Sequence, residues 1–268
     1  MSRDTGGYLW DAADYHDSSS QQKKWGRELF PKLNLRGDER VLDIGCGDGR
    51  LTVELSELVP SGAVVGIDSS PEMISFARDS FPPEDYPNLS WQVMDAQELS
   101  FDGEFDVAFS NAVLHWVPDQ GLVLRGVERS LKGGGRLLFQ MGGRGMAANV
   151  VQVMMSVLSR GDWGRFFHDF ALPYRFCGPE EYTRWLEDAG LRPLRVELVP
   201  KDMTHEGSRG LTAWIRTTWL PLTQRLPEDL REGFIAAIVE GYVERFPPDA
   251  EGLVHVDAVR LEIEAEKA

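Results

Sequence analysis

The chain has 268 residues, enough for a full core, and its 42% hydrophobic and 26% charged residues exclude a disordered, collagenous or disulfide-framework protein. Lys+Arg 28 against Asp+Glu 43 leaves a net charge of −15, which opposes the counterion-releasing contacts of non-specific nucleic-acid binding, so no nucleic-acid partner is expected. Cys46 and Cys177 form no C-x-x-C pair, the first residues lack an apolar signal core, and no apolar run approaches the ~20 residues of a bilayer span; a cytoplasmic protein with no membrane partner is expected.

Residues 1–20 are polar and read as irregular. Ser18-Ser19-Ser20 offers caps for a helix through Gln22, Trp25, Leu29 and Phe30. Arg40-Val-Leu-Asp-Ile is a short apolar strand ending at a glycine cluster. A helix over 50–59 follows, then a strand over 63–67. Pro71, after Ser69-Ser70, opens a helix carrying Met73, Ile74 and Ala77, since a missing N–H costs nothing in a first turn. Strands at 89–93 and 105–110, a helix over 121–131 and a strand over 136–141 complete a β-α-β-α-β-β-α-β order. Further on come a helix over 178–190 and strands over 194–204 and 254–265. Seven strands alternating with helices predict an α/β fold, a mostly parallel sheet with helices on both faces. No repeat or linker divides the chain. We expect one domain over 1–268, with core segments 36–142, 178–206 and 252–268 and helical cap insertions at 143–177 and 207–251.

The decisive segment is Asp43-Ile44-Gly45-Cys46-Gly47-Asp48-Gly49, between a strand and a helix. Glycines there let the backbone approach a ligand closely. Arg50 breaks the dinucleotide spacing G-x-G-x-x-G. A second acid, Asp68, ends the next strand 25 residues after Asp43, the distance expected of a ribose-binding carboxylate, which can accept from two vicinal hydroxyls. A third, Asp95, follows the third strand, with Ala96 beside it. Ligands of open α/β sheets bind at this edge.

The spacing D-x-G-x-G-x-G resembles motif I of the class I S-adenosylmethionine-dependent methyltransferases, which have a Rossmann-like fold. Ile67-Asp68-Ser69-Ser70-Pro71-Glu72-Met73-Ile74 and Asn111-Ala-Val-Leu-His-Trp-Val-Pro-Asp narrow the likeness to the trans-aconitate methyltransferase group, which methylates carboxylates of small organic acids. Leu211-Thr-Ala-Trp-Ile and Tyr242-Val-Glu-Arg-Phe-Pro resemble that group's cap helices. The resemblance implies S-adenosyl-L-methionine as cofactor. It sets Gly45, Cys46 and Gly47 against the methionine part, Asp43 near its amino group, Asp68 on the ribose, Ser69 and Met73 beside the adenosine and Asp95 and Ala96 on the adenine. Asn111 presents its carbonyl near the amino group, and Tyr15 and Gln22 close over the cofactor.

Methyl transfer is an in-line displacement that mainly needs alignment. A carboxylate arrives deprotonated and needs no base, which fits the absence of a Ser/His/Asp or Cys/His arrangement. The five histidines lack metal-ligand spacing, so no metal is expected. His115 is the candidate catalytic side chain, as donor to a carboxylate or as base. Trp116, Arg165, Phe167, Arg175, Trp214 and Arg216 are the candidate acceptor-binding residues, aromatics for apolar area and arginines for a carboxylate. The expected function is methyl esterification of a small-molecule acceptor, trans-aconitate-like or another organic acid, with no obligate protein partner. Transfer to an O, N or C nucleophile of another metabolite, or binding without turnover, stays open. The two insertions are expected to pack together over the cofactor cleft and enclose the acceptor.

Overall fold

The computed structural model describes residues 20–160 and 162–268. Helix α1 (Ser20–Arg27) stops three residues short of the predicted end, before a 3-10 turn at Phe30–Leu33. Pro31 has no N–H to donate to Arg27 O, so the α-helical ladder cannot run on through it. Then come β1 (Arg40–Ile44), α2 (Arg50–Leu58), β2 (Ala63–Asp68), α3 (Pro71–Ser80), β3 (Leu89–Val93) and β4 (Phe105–Asn111). These are followed by α4 (Gln120–Ser130), β5 (Leu131–Gly142), α5 (Ala148–Arg160), α6 (Pro179–Asp188) and β6 (Leu191–Glu206). Last are α7 (Gly207–Thr218), α8 (Leu220–Thr223), α9 (Glu228–Arg245) and β7 (Leu253–Lys267). Short polar side chains cap α3 and α4. Ser70 Oγ accepts from Met73 N at 3.2 Å, and Asp119 Oδ1 accepts from Leu122 N at 3.1 Å.

The seven strands form one sheet in the order β3-β2-β1-β4-β5-β7-β6, with β1 to β5 parallel and β7 antiparallel to β5. Strand β5 begins earlier than the glycines suggested. Leu131 pairs with Phe105, the chain then bulges through 132–135, and pairing resumes at Arg136 with Val107. Alternate side chains feed two cores. Leu42, Ile44, Val65, Ile67 and Phe139 join α4 and α6 on one face, while Val41, Val64, Val107 and Phe109 join α2 and α3 on the other. Burial on both faces is why these strands read as continuous apolar runs. Because β1 lies between β2 and β4, the strand order reverses there and a crevice opens at the C-terminal ends.

The described residues divide into two compact units. One comprises 20–144, 174–199 and 259–268, and the other comprises 145–173 and 200–258. The boundary runs through β6 and β7. In the first unit a buried polar chain crosses the sheet. The Glu262 carboxylate accepts from Lys32 Nζ at 2.5 Å, Arg195 Nη2 at 2.9 Å and Gln140 Nε2 at 3.0 Å. Burial pushes the Glu262 carboxyl up, but these charged donors outweigh it and hold it below the usual carboxylate range. The second unit is helical. The insertions pack together there: α5 lies against α9, and Trp163 and Phe167 each meet the Phe234 ring at 5.7 Å.

Tyr182 on α6 is fully buried, and its hydroxyl has no hydrogen-bond partner among the described residues. An unsatisfied buried hydroxyl costs about 1–3 kcal/mol, so Tyr182→Phe should raise stability by ~1 kcal/mol or more, read as a higher urea midpoint at unchanged m.

Candidate functional site

The turn after β1 is built around its glycines. Gly45 has φ +75°, and a Cβ there would lie 2.4 Å from the Val113 side chain, so no other residue fits. Gly47 has φ +54°, but a Cβ on it would meet nothing within 4 Å among the described residues beyond its chain neighbours, so with respect to them this side of the turn is open. The amides of Gly45 and Cys46 both donate to Ile67 O, at 2.8 and 2.9 Å. The Asp68 carboxylate accepts from Gly47 N at 3.0 Å and Ser70 N at 2.9 Å, joining the first and second βα turns. Arg50, where a dinucleotide loop would have glycine, pairs with Asp48.

Asp43 lies beneath this turn, 3% exposed, and accepts from Thr52 Oγ1 at 2.7 Å. Burial and then the Asp68 charge push its carboxyl up to about 7. Burial also raises Asp68, against its backbone donors, and drives the Cys46 thiol up, helped by both carboxylates. Met73 is buried on α3, while Ser69 is exposed. Asp95 accepts from Gln97 N at 2.8 Å and so caps the 3-10 turn that Ala96 begins; both are half-buried. Asn111 ends β4, opposite Gln140. Tyr15 lies outside the described residues. Gln22 falls on α1, and its side chain is likewise outside them.

His115 sits in the 3-10 turn Leu114–Trp116 after β4. Its Nδ1 accepts from Gly142 N at 3.4 Å, and burial followed by the Arg260 charge pushes its pKa down to about 3. The ring is therefore neutral at pH 7, with its proton on Nε2. Rings gather around it: Phe176 at 5.7 Å, Trp116 at 5.8 Å and Tyr174 at 6.3 Å, with Tyr174 edge-on to Trp116 at 4.7 Å. Arg175 N donates to His115 O at 2.8 Å, and the Arg175 side chain is exposed.

The remaining acceptor candidates belong to the helical unit, so the two arginines of one predicted segment, Arg165 and Arg175, fall in different units. Arg165 is exposed, with its guanidinium 4.8 Å from the Phe166 ring centre. Phe167 stacks on Phe234, Trp214 is buried against Trp219 and His205, and Arg216 is exposed. Among the described residues no group of three or more His, Cys, Asp or Glu is placed to hold a metal ion, and no helix is long and apolar enough to cross a membrane. Sequence reasoning missed Thr52, which holds Asp43, and Gly142, which sets the His115 tautomer. Thr52 lies nine residues from Asp43, on the first turn of α2, a position that could have been flagged; a backbone donor such as Gly142 leaves no sequence signal.

The family model described as a methyltransferase domain matches residues 35–190. An uncharacterized methyltransferase of Schizosaccharomyces pombe, C70.08c, is 36% identical over 196 residues, covering 72% of this chain and 74% of its own. A trans-aconitate 2-methyltransferase of Methylobacterium nodulans is 30% identical over 256 residues, covering 94% and 96%. The fold resembles that of geranyl diphosphate C-methyltransferase from Streptomyces coelicolor, solved with S-adenosyl-L-homocysteine, at TM-score 0.57 and 19% identity over 92% of this chain and 79% of that one.

The raised Asp43 carboxyl makes a signed prediction. Between the unfolded value near 3.8 and the folded value near 7 the native state holds the extra proton, so this group's contribution to stability falls as pH rises through that window. Asp43→Asn removes the dependence. Urea melts from pH 4 to 8 should show the variant gaining on wild type by up to about 1.4 kcal/mol per pH unit.

Proposed function

The chain belongs to the methyltransferase domain family and uses S-adenosylmethionine, and from that premise we propose that it esterifies the carboxylate of a small organic acid in the cytoplasm. The observation that carries the proposal is the Gly142 N–H donated to His115 Nδ1, which occupies the ring's lone pair and leaves an Nε2–H to offer in place of a base. A carboxylate is ionised at that pH and needs no base. The similarity to trans-aconitate 2-methyltransferase supports a small acid.

The site suits the cofactor. Gly47 leaves a backbone face that no other described residue fills, and the buried acids Asp43 and Asp68 lie beside it, their carboxyls raised by burial, so that a bound cation would favour their ionised forms. In this reading Gly45, Cys46 and Gly47 hold the methionine part with Asp43 and Asn111 near its amino group. Asp68, Ser69 and Met73 hold the ribose side, Asp95 and Ala96 the adenine, and Tyr15 and Gln22 cover it. When bound, the cofactor would supply an activated sulfonium methyl, which passes to a carboxylate oxygen as the C–S electron pair goes to the departing sulfur. His115 orients that carboxylate through Nε2–H and moves no proton. Trp116 and Arg175, in the same unit as His115, are the acceptor-recognition residues of this reading.

Incubation with methyl-labelled cofactor and a metabolite mixture should yield an alkali-labile methyl ester by mass spectrometry; label fixed on an amine, phenol or carbon would refute esterification. At saturating cofactor, kcat should be flat from pH 6 to 9. His115→Gln, which keeps an N–H donor, should retain most activity, while His115→Phe should lose roughly 10–100-fold in kcat/KM, one hydrogen bond to a charged group. Asp68→Ala should weaken S-adenosylhomocysteine binding by about 1.5–3 kcal/mol in calorimetry, and unchanged affinity would remove the ribose assignment.

A further inference from the structure

Asp43 and Thr52 meet out of water beneath the glycine turn, at 3% and 0% exposure. Thr52 stands on the first turn of α2, and its Oγ1 donates to Asp43 Oδ2 at 2.7 Å. Asp43 Oδ1 has no hydrogen-bond donor among the described residues. A carboxylate can accept on both oxygens, and leaving one of them bare in a buried site is costly. A pair serving the core alone would close both oxygens, or would give way to apolar side chains of the same shape. The turn above Asp43 carries Gly47, whose outer face no other described residue fills.

The neighbours of Asp43 make its charge sensitive to a ligand. In the sheet it is paired with Gly66 on β2 and Phe109 on β4, which bring no charge. Asp68 stands at the end of β2 and the Cys46 thiol in the turn, and Asp48, which acts on Cys46, is paired with Arg50. Burial, and behind it the Asp68 charge, favours the protonated form of Asp43, while the Thr52 hydroxyl favours the ionised one. With the carboxyl pushed up to about 7, its proton is loosely held at neutral pH, and a cation at the bare oxygen is enough to expel it.

We propose that Thr52 is a positioning residue of the cofactor site: it fixes one oxygen of Asp43 so that the other receives the cofactor's ammonium group, and Asp43 gives its proton to solvent on binding. Being fully buried, Thr52 acts through Asp43 and touches no ligand itself. The inference rests on the reading that the glycine turn holds S-adenosylmethionine, and it is independent of the acceptor.

The test is calorimetry of the full chain with S-adenosylhomocysteine, which keeps the ammonium group, in buffers of different ionisation enthalpy. At pH 6 the ligand's α-amino group is already charged, so a proton released to buffer comes from the protein. Wild type should release about 0.5–0.9 proton there, and its affinity should rise roughly five- to tenfold from pH 5 to 6 and level off above 7. Asp43→Asn should weaken binding at pH 7 and abolish the release. Thr52→Val, of similar shape without the hydroxyl, should weaken binding at pH 7 by about five- to tenfold and carry the rise in affinity up by about one pH unit. Thr52→Ala should do the same, which keeps the comparison if the valine variant does not fold. Thr52→Ser, which keeps the hydroxyl, should stay within about twofold of wild type at each pH. A wild-type pH profile in Thr52→Val or Thr52→Ala would overturn the positioning role. Affinity that is flat from pH 5 to 7 in the wild type, or release that survives Asp43→Asn, would overturn the proton coupling. If Asp43→Asn binds as tightly as wild type at pH 7, Asp43 leaves the cofactor site, and the reading beneath the inference fails with it.

Discussion

The carboxylate of Asp68 joins the two βα turns that form the site. One oxygen takes the Gly47 amide of the first turn and the other takes the Ser70 amide that leads into α3. Both amides are held by this one side chain at the C-terminal edge of the sheet, so the acid organises both turns. The bonds to Ile67 O hold Gly45 and Cys46 to the same strand end. With Val113 closing the far side, the turn has little freedom left, and a ligand meets a surface already shaped for it.

That clamp also sets the electrostatics. Asp68 and Asp43 lie close enough that the charge on one raises the carboxyl of the other, and burial raises both. The pair avoids that repulsion by keeping the Asp43 proton until the pH nears 7. The region around His115 has the opposite character: a positive neighbour, Arg260, and the Trp116 ring.

Most of the scaffold was legible because its physics is periodic or local. Strands buried on both faces read as apolar runs, Ser70 and Asp119 sit where helix caps belong, and the glycine spacing declared the turn. Asp43 and Asp68 were legible through their places at strand ends. What was not legible depends on groups the sequence does not mark. The Asp95 carboxylate spends an oxygen on Gln97 N, a cap that competes with any ligand contact. The His115 tautomer comes from a backbone amide on β5. The division into units runs through the middle of β6 and β7, where a continuous strand pattern shows no break.

The placement of β7 between β5 and β6 has a consequence for how the chain is made. Among the described residues strand β6 has β7 as its only neighbour in the sheet, yet β7 comes last of the seven in sequence. On the ribosome the first five strands can pair as they emerge, but β6 leaves the tunnel before its native partner is made, while the edge of β5 that β7 will take is still open. The intervening helices take roughly 2–10 s to synthesise at ordinary elongation rates. During that interval an unpaired strand carrying Leu194 and Val196 is open to wrong pairing, and it is the part of this nascent chain on which a chaperone would be expected to act.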